Sequence, residues 1–134
     1  LGKYLKNKKR VDMIRMDIEG HEIEVFDSLI KFSKEYKDHL PFKIIFETHF
    51  PIYKKKKEYV REIFNQIFEI GYKLKYLSST NEPKDAFKKK GYFPFKIIKD
   101  FPFNRGIYEN INQSDFIEFA TNTGGVRTVL LELA

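Results

Sequence analysis

The sequence predicts an α/β fold, a mostly parallel sheet that closes with an antiparallel last strand. Three observations predict it. Short apolar runs alternate with segments of helical periodicity in the order strand, helix, strand, helix, strand. That order implies parallel strands joined by right-handed crossovers. The final apolar run, Val126 to Leu133, has no full crossover helix before it, so it is expected to enter the same sheet antiparallel.

The first strand is read from Val11 to about Asp17, within the run VDMIRMDI, which is mostly apolar and ends in Glu19-Gly20, a turn. From His21 to about Lys37 the residues Phe26, Leu29, Ile30 and Tyr36 recur at helical spacing. Pro41 breaks the chain, and Phe42 to Phe50 (FKIIFETHF) reads as a second strand rich in Ile and Phe. After Pro51 comes the clearest helix, about residues 57 to 70, with Val60, Ile63, Phe64 and Ile67 on one face and Gly71 to end it. Tyr72 to Leu77 is a third strand. Between 78 and 113, glycines, prolines and asparagines punctuate short aromatic runs, which predicts a hairpin or ordered lid rather than a long loop. Ser114 is placed to cap a short helix through Ala120. Gly124-Gly125 then lead into the last strand.

At 134 residues and 42% hydrophobic, the chain is one domain with material for a core. It contains no cysteine, which excludes disulfides, thiolate metal sites and a Cys nucleophile, and which fits a cytoplasmic protein. No apolar run approaches the ~18 residues of a membrane span. The net charge is +6, with lysine runs at Lys54 to Lys57 and Lys88 to Lys90. Acidic residues are spread among the basic ones, so a solvated surface is the simpler reading than a polyanion-binding one. In Lys88 to Tyr108, lysines interleave with Tyr92, Phe93, Phe95, Phe101 and Phe103. Single-strand nucleic-acid binding uses that mixture. A hydrophobic hairpin over a small-molecule site explains it more simply, so nucleic acid is the disfavoured partner.

In open α/β sheets, ligands bind beyond the carboxyl ends of the strands. Two strands here end in unusual chemistry. The first finishes Arg15-Met16-Asp17-Ile18-Glu19-Gly20-His21-Glu22, and the second Glu47-Thr48-His49. Strand alternation puts Arg15, Asp17 and Glu19 on one side, and Glu47 and His49 likewise. Neighbouring strands would converge these groups at one edge. Each residue also has a structural reading. Asp17 and Glu19 could cap the following helix. Arg15 could be a paired structural cation, with Glu47 as its partner. His21 and Glu22 could be first-turn residues and no more.

The run VDMIRMDIEGHEIEVFDSL resembles the signature of FkbM-type methyltransferases: an aliphatic strand with a basic residue, then Asp, Glu-Gly and another Glu. Arg15, Asp17, Glu19, Gly20 and Glu22 match it. The strand IIFETHF resembles the family's second signature, through Glu47 and His49. Leu1 to Leu5 resembles a short segment that precedes the first signature, so the resemblance spans nearly the whole chain and is most specific over residues 11 to 50. It implies the C-terminal half of one Rossmann-like domain, with S-adenosylmethionine as cofactor and O-methylation of a small, sugar-like acceptor as the reaction. It also implies that His49, Asp17 and Glu47 are catalytic, and that Glu19, His21, Glu22 and Arg15 bind substrate or cofactor. His49 would be the general base, since an imidazole titrates near working pH. An alternative makes Asp17, Glu47 and His49 ligands of a divalent cation. The seven glycines include no Gly-x-Gly turn after a strand. The resemblance therefore implies a cofactor-binding half upstream of Leu1, and an isolated chain that binds the cofactor poorly and is inactive. The partners implied are a small-molecule acceptor, with no membrane, and room for a homo-oligomer.

Overall fold

Two parallel strands and the helix that crosses between them set the frame. The computed structural model describes residues 1–8, 10–50 and 52–134; Pro51, read above as a boundary, lies outside them. After a short helix α1 (Gly2–Lys6), strand β1 (Met13–Met16) leads into α2 (Glu22–Tyr36), a 3-10 turn (Lys37–His39) and β2 (Lys43–Glu47). β1 and β2 pair in parallel, with Met16 opposite Phe46. Then come α3 (Lys57–Glu69), β3 (Tyr72–Ser79), α4 (Asp85–Lys89), β4 (Lys96–Asp100), β5 (Phe103–Tyr108), α5 (Gln113–Glu118), a π-helical turn (Phe119–Thr123) and β6 (Val126–Leu133). The cap of α5 is Asn112 rather than Ser114; its side chain accepts from the backbone N–H of Asp115 at 2.8 Å. Among the described residues, no helix is long and apolar enough to cross a membrane.

The six strands lie in the order β1-β2-β6-β3-β5-β4. This corrects the expected mostly parallel, Rossmann-like sheet. Only β1–β2 is parallel; β2–β6, β6–β3, β3–β5 and β5–β4 are antiparallel. The reason lies at the end of the chain. β6 inserts between β2 and β3, so these two strands point the same way without touching, and β6 converts their pairing into two antiparallel ladders. The hairpin β4–β5, in the segment from 78 to 113 where the sequence predicts a hairpin or lid, adds two more.

The helices cover one face of this sheet. Val60, Ile63, Phe64 and Ile67 of α3 are all buried, as the spacing predicts. Phe46 of β2 stands edge-on to Phe26 of α2 at 4.9 Å between centroids and stacks on Phe64 at 6.1 Å. Phe64 meets Phe116 of α5 at 5.3 Å. Each such pair contributes ~0.5–1.5 kcal/mol beyond its burial. This aromatic spine anchors β2 three residues before His49. On the opposite face Ile45, Tyr76, Ile107 and Leu130 are only half-buried. With Ile98 they floor a hollow of about 390 Å³, rimmed by the ion pair of Arg105 and Asp100 at 2.6 Å.

Candidate active site

The carboxyl end of β1 is shaped by a left-handed turn. Glu19 has φ 55 and Gly20 φ 95. For glycine that conformation is free; for glutamate it costs on the order of 1 kcal/mol. A Cβ at Gly20 would meet only ordinary contacts, 3.6 Å from the Ile52 carbonyl and 3.9 Å from the Cβ of His49, so the backbone conformation and not space calls for glycine. The turn lets α2 begin at once, with Glu22 in its first turn. Glu22 lies one helical turn before Phe26, on the apolar stripe of α2, and is fully buried. Its Oε1 accepts the backbone N–H of Ile18 at 3.1 Å.

The end of β2 is clamped from the other side. The Thr48 N–H donates to the carbonyl of Arg127 at 2.9 Å, and its hydroxyl donates to the carbonyl of Val126 at 2.5 Å. On the other side of β2, the parallel pairing with β1, Met16 opposite Phe46, carries His49 to the edge where β1 ends. Its side chain is 11% exposed. Nδ1 lies 2.9 Å from Glu22 Oε1. The approach is off the N–H direction, so the two atoms are in contact without a directed hydrogen bond, and Nδ1 and Glu22 Oε2 are both buried without a hydrogen-bond partner. On the other side of the ring, Nε2 faces Asp17 Oδ1 at 3.5 Å and Glu19 Oε2 at 3.9 Å. Both carboxylates reach solvent, Glu19 more than Asp17. Glu22 thus holds the back of an imidazole whose front opens between two accessible carboxylates.

The remaining residues singled out in the sequence lie outside this cluster. Glu47 is tied to Arg127 at 3.1 Å, not to Arg15. Arg15 is exposed and has no acidic side chain within 4 Å among the described residues. His21 is exposed, 3.9 Å from Glu24 and in no contact with the cluster's carboxylates. Sequence reasoning missed Tyr53. Its hydroxyl is buried without a hydrogen-bond partner. Burial pushes this phenol well above its ordinary range; the backbone of His49 offsets part of that, and the Glu22 charge adds to it. Tyr53 also lines a cavity of about 170 Å³ with Phe50, Lys55, Val60 and Thr121. The larger hollow on the open sheet face has more room. Neither cavity is lined by the imidazole or its carboxylates, and the smaller one begins at Phe50, the residue after His49.

Chemically, this edge can hold a hydroxyl against Nε2 and the two carboxylates, draw its proton away, or coordinate a cation. A family model described as the methyltransferase FkbM domain matches residues 1–74, more than half of the 134 residues and all of this cluster. No curated protein and no solved structure matches the chain.

Proposed function

The chain belongs to the FkbM methyltransferase family, and we propose that it serves methyl transfer to a small hydroxylated acceptor held at the carboxyl edge of β1 and β2. The observation that carries this reading is the half-open imidazole of His49, backed by buried Glu22 at 2.9 Å and faced by Asp17 at 3.5 Å. In this reading S-adenosylmethionine, when bound, would supply an electrophilic methyl group. The described residues include no Gly-x-Gly turn at a strand end to cradle that cofactor. These residues therefore do not form that cradle, and what they offer is the acceptor side.

That side has two tasks. It must hold the acceptor oxygen in line with the methyl group, and it must help remove the hydroxyl proton. Asp17 and His49 contact the acceptor and activate its hydroxyl. Glu22 is a positioning residue that fixes the ring from behind. Glu47, tied to Arg127, secures the β2–β6 junction beside them.

The test is turnover of labelled methyl groups by the full-length protein. His49→Gln should lower turnover by ~10² or more, the scale on which an acceptor-activating side chain acts. Asp17→Asn should slow it as well. Activity per folded molecule kept at the unmutated level in both variants would end this reading of the site.

A further inference from the structure

We propose that Asp17, Glu19 and His49 form a divalent-cation site, with Glu22 as the carboxylate that orients the imidazole from outside the coordination shell. One ligand atom from each of the three residues lies within 4.8 Å of the others. The two measured separations from Nε2 are 3.5 Å and 3.9 Å. Ligands ~2.0–2.2 Å from one ion, at tetrahedral or octahedral angles, stand roughly 3–3.5 Å apart. A small inward movement of two exposed side chains therefore closes the set.

Charge points the same way. The chain has 25 Lys and Arg against 19 Asp and Glu. Yet three carboxylates gather at this edge, and their only ion-pair contacts among the described residues are with His49. In a lysine-rich chain, an acidic cluster without a basic side chain leaves its counter-charge to be supplied from outside. A third observation is independent of the cluster's composition. Glu22 is fully buried, has one oxygen without a partner and lies at Nδ1, the ring nitrogen that faces away from Asp17 and Glu19. Metal-binding histidines commonly carry a carboxylate beside the nitrogen that does not ligate, and Glu22 stands at that position, 2.9 Å from Nδ1.

The donor set is two carboxylate oxygens and one imidazole nitrogen. That mixture suits a cation of intermediate hardness such as Mn²⁺ better than Ca²⁺, which takes oxygen ligands alone. The accessible faces of Asp17 and Glu19 leave positions for water or for an acceptor oxygen. With the ion bound, Nε2 is a ligand and not a free base, and the cation takes over the lowering of the acceptor oxygen's proton affinity; that use rests on the methyl-transfer reading, and the existence of the site does not.

Calorimetric titration of the 134-residue chain with MnCl₂ should show saturable one-to-one binding below millimolar concentration. Asp17→Asn and Glu19→Gln should each weaken it at least ~10-fold, and Glu22→Gln by about 10-fold, the lower end of the usual effect of such outer partners. Glu24→Gln, an exposed acidic control on the same helix, should leave affinity unchanged. Pulsed electron paramagnetic resonance of the Mn²⁺-loaded chain should show nitrogen coupling that disappears in His49→Gln. Circular dichroism checks that each variant is folded. No saturable binding at millimolar Mn²⁺, equal affinity in all variants, or loaded ion without nitrogen coupling would each overturn the site. The site is judged by binding alone, so its failure would leave methyl transfer standing, and failure of methyl transfer would leave the site standing.

Discussion

Glu22→Gln separates a carboxylate kept for function from one kept for folding. Glu22 is fully buried, accepts the N–H of Ile18 at 3.1 Å, lies 2.9 Å from His49 Nδ1 and leaves Oε2 without a partner. Glutamine keeps the size and the Oε1 acceptor, so both contacts survive while the charge is lost. A buried charged group with an unsatisfied oxygen costs on the order of 1–3 kcal/mol. The amide that replaces it is also unsatisfied but neutral, and recovers only part of that cost. The variant should therefore be more stable by about 1 kcal/mol. For a chain of 134 residues this corresponds to a rise in melting temperature of roughly 3–5 °C. Turnover should fall at the same time, because the ring loses the charge that sets its orientation and basicity. Stability gained with activity lost is the pattern of a strained functional site. Differential scanning calorimetry and the labelled-methyl assay measure the two halves. Breaking a structural buried ion pair instead costs ~3–5 kcal/mol. A fall in melting temperature of about 10 °C or more would refute the argument and make Glu22–His49 a folding contact.

Three further outcomes follow from other parts of the molecule. Gly106→Ala should destabilise the fold by ~1–3 kcal/mol in urea unfolding, because the new Cβ would meet Glu82 Oε1 at 2.3 Å and Pro94 Cβ at 2.9 Å; an unchanged midpoint would show that the hairpin yields freely. The carboxyl of Asp115 is held below its ordinary range, first by the hydroxyl of Tyr92, which donates to it at 2.6 Å, and then by Lys90 at 3.2 Å. A depressed native pKa contributes stability that is full above the unfolded value of ~3.9 and is lost as pH falls through the native one. The gap in melting temperature between the unmutated chain and Asp115→Asn should accordingly narrow below about pH 4, and a gap that stays constant down to pH 2 would contradict it. Calorimetry of S-adenosylmethionine with the 134-residue chain should show no tight binding, since a glycine turn supplies most phosphate- or adenosine-side contacts in nucleotide-binding α/β sheets; micromolar affinity would overturn the account of where the donor is held.

The lengths and kinds of the elements were legible in the sequence because they depend on local periodicity. β1, α2, β2, α3 and β6 lie within the segments where alternation and helical spacing place them, and β3 starts where expected at Tyr72 but runs two residues past Leu77 to Ser79. The two signatures carrying Asp17, Glu19, Glu22 and His49 were legible for the same reason: each is a contiguous run. What the periodicity could not contain was strand order. Nothing local in Val126 to Leu133 says that it lies between β2 and β3 rather than at an edge, and that single insertion makes the sheet mostly antiparallel. It also decides the site. By clamping Thr48, β6 sets the direction of His49, and by offering Arg127 it draws Glu47 away from Arg15. Glu22 shows the boundary most clearly. Its place on the apolar stripe, one turn before Phe26, was visible in the sequence. Only the packing of α2 against β2 turns that place into a fully buried charge behind an imidazole. Local patterning decides which side chains face inward; partners far apart in the chain decide what they meet there.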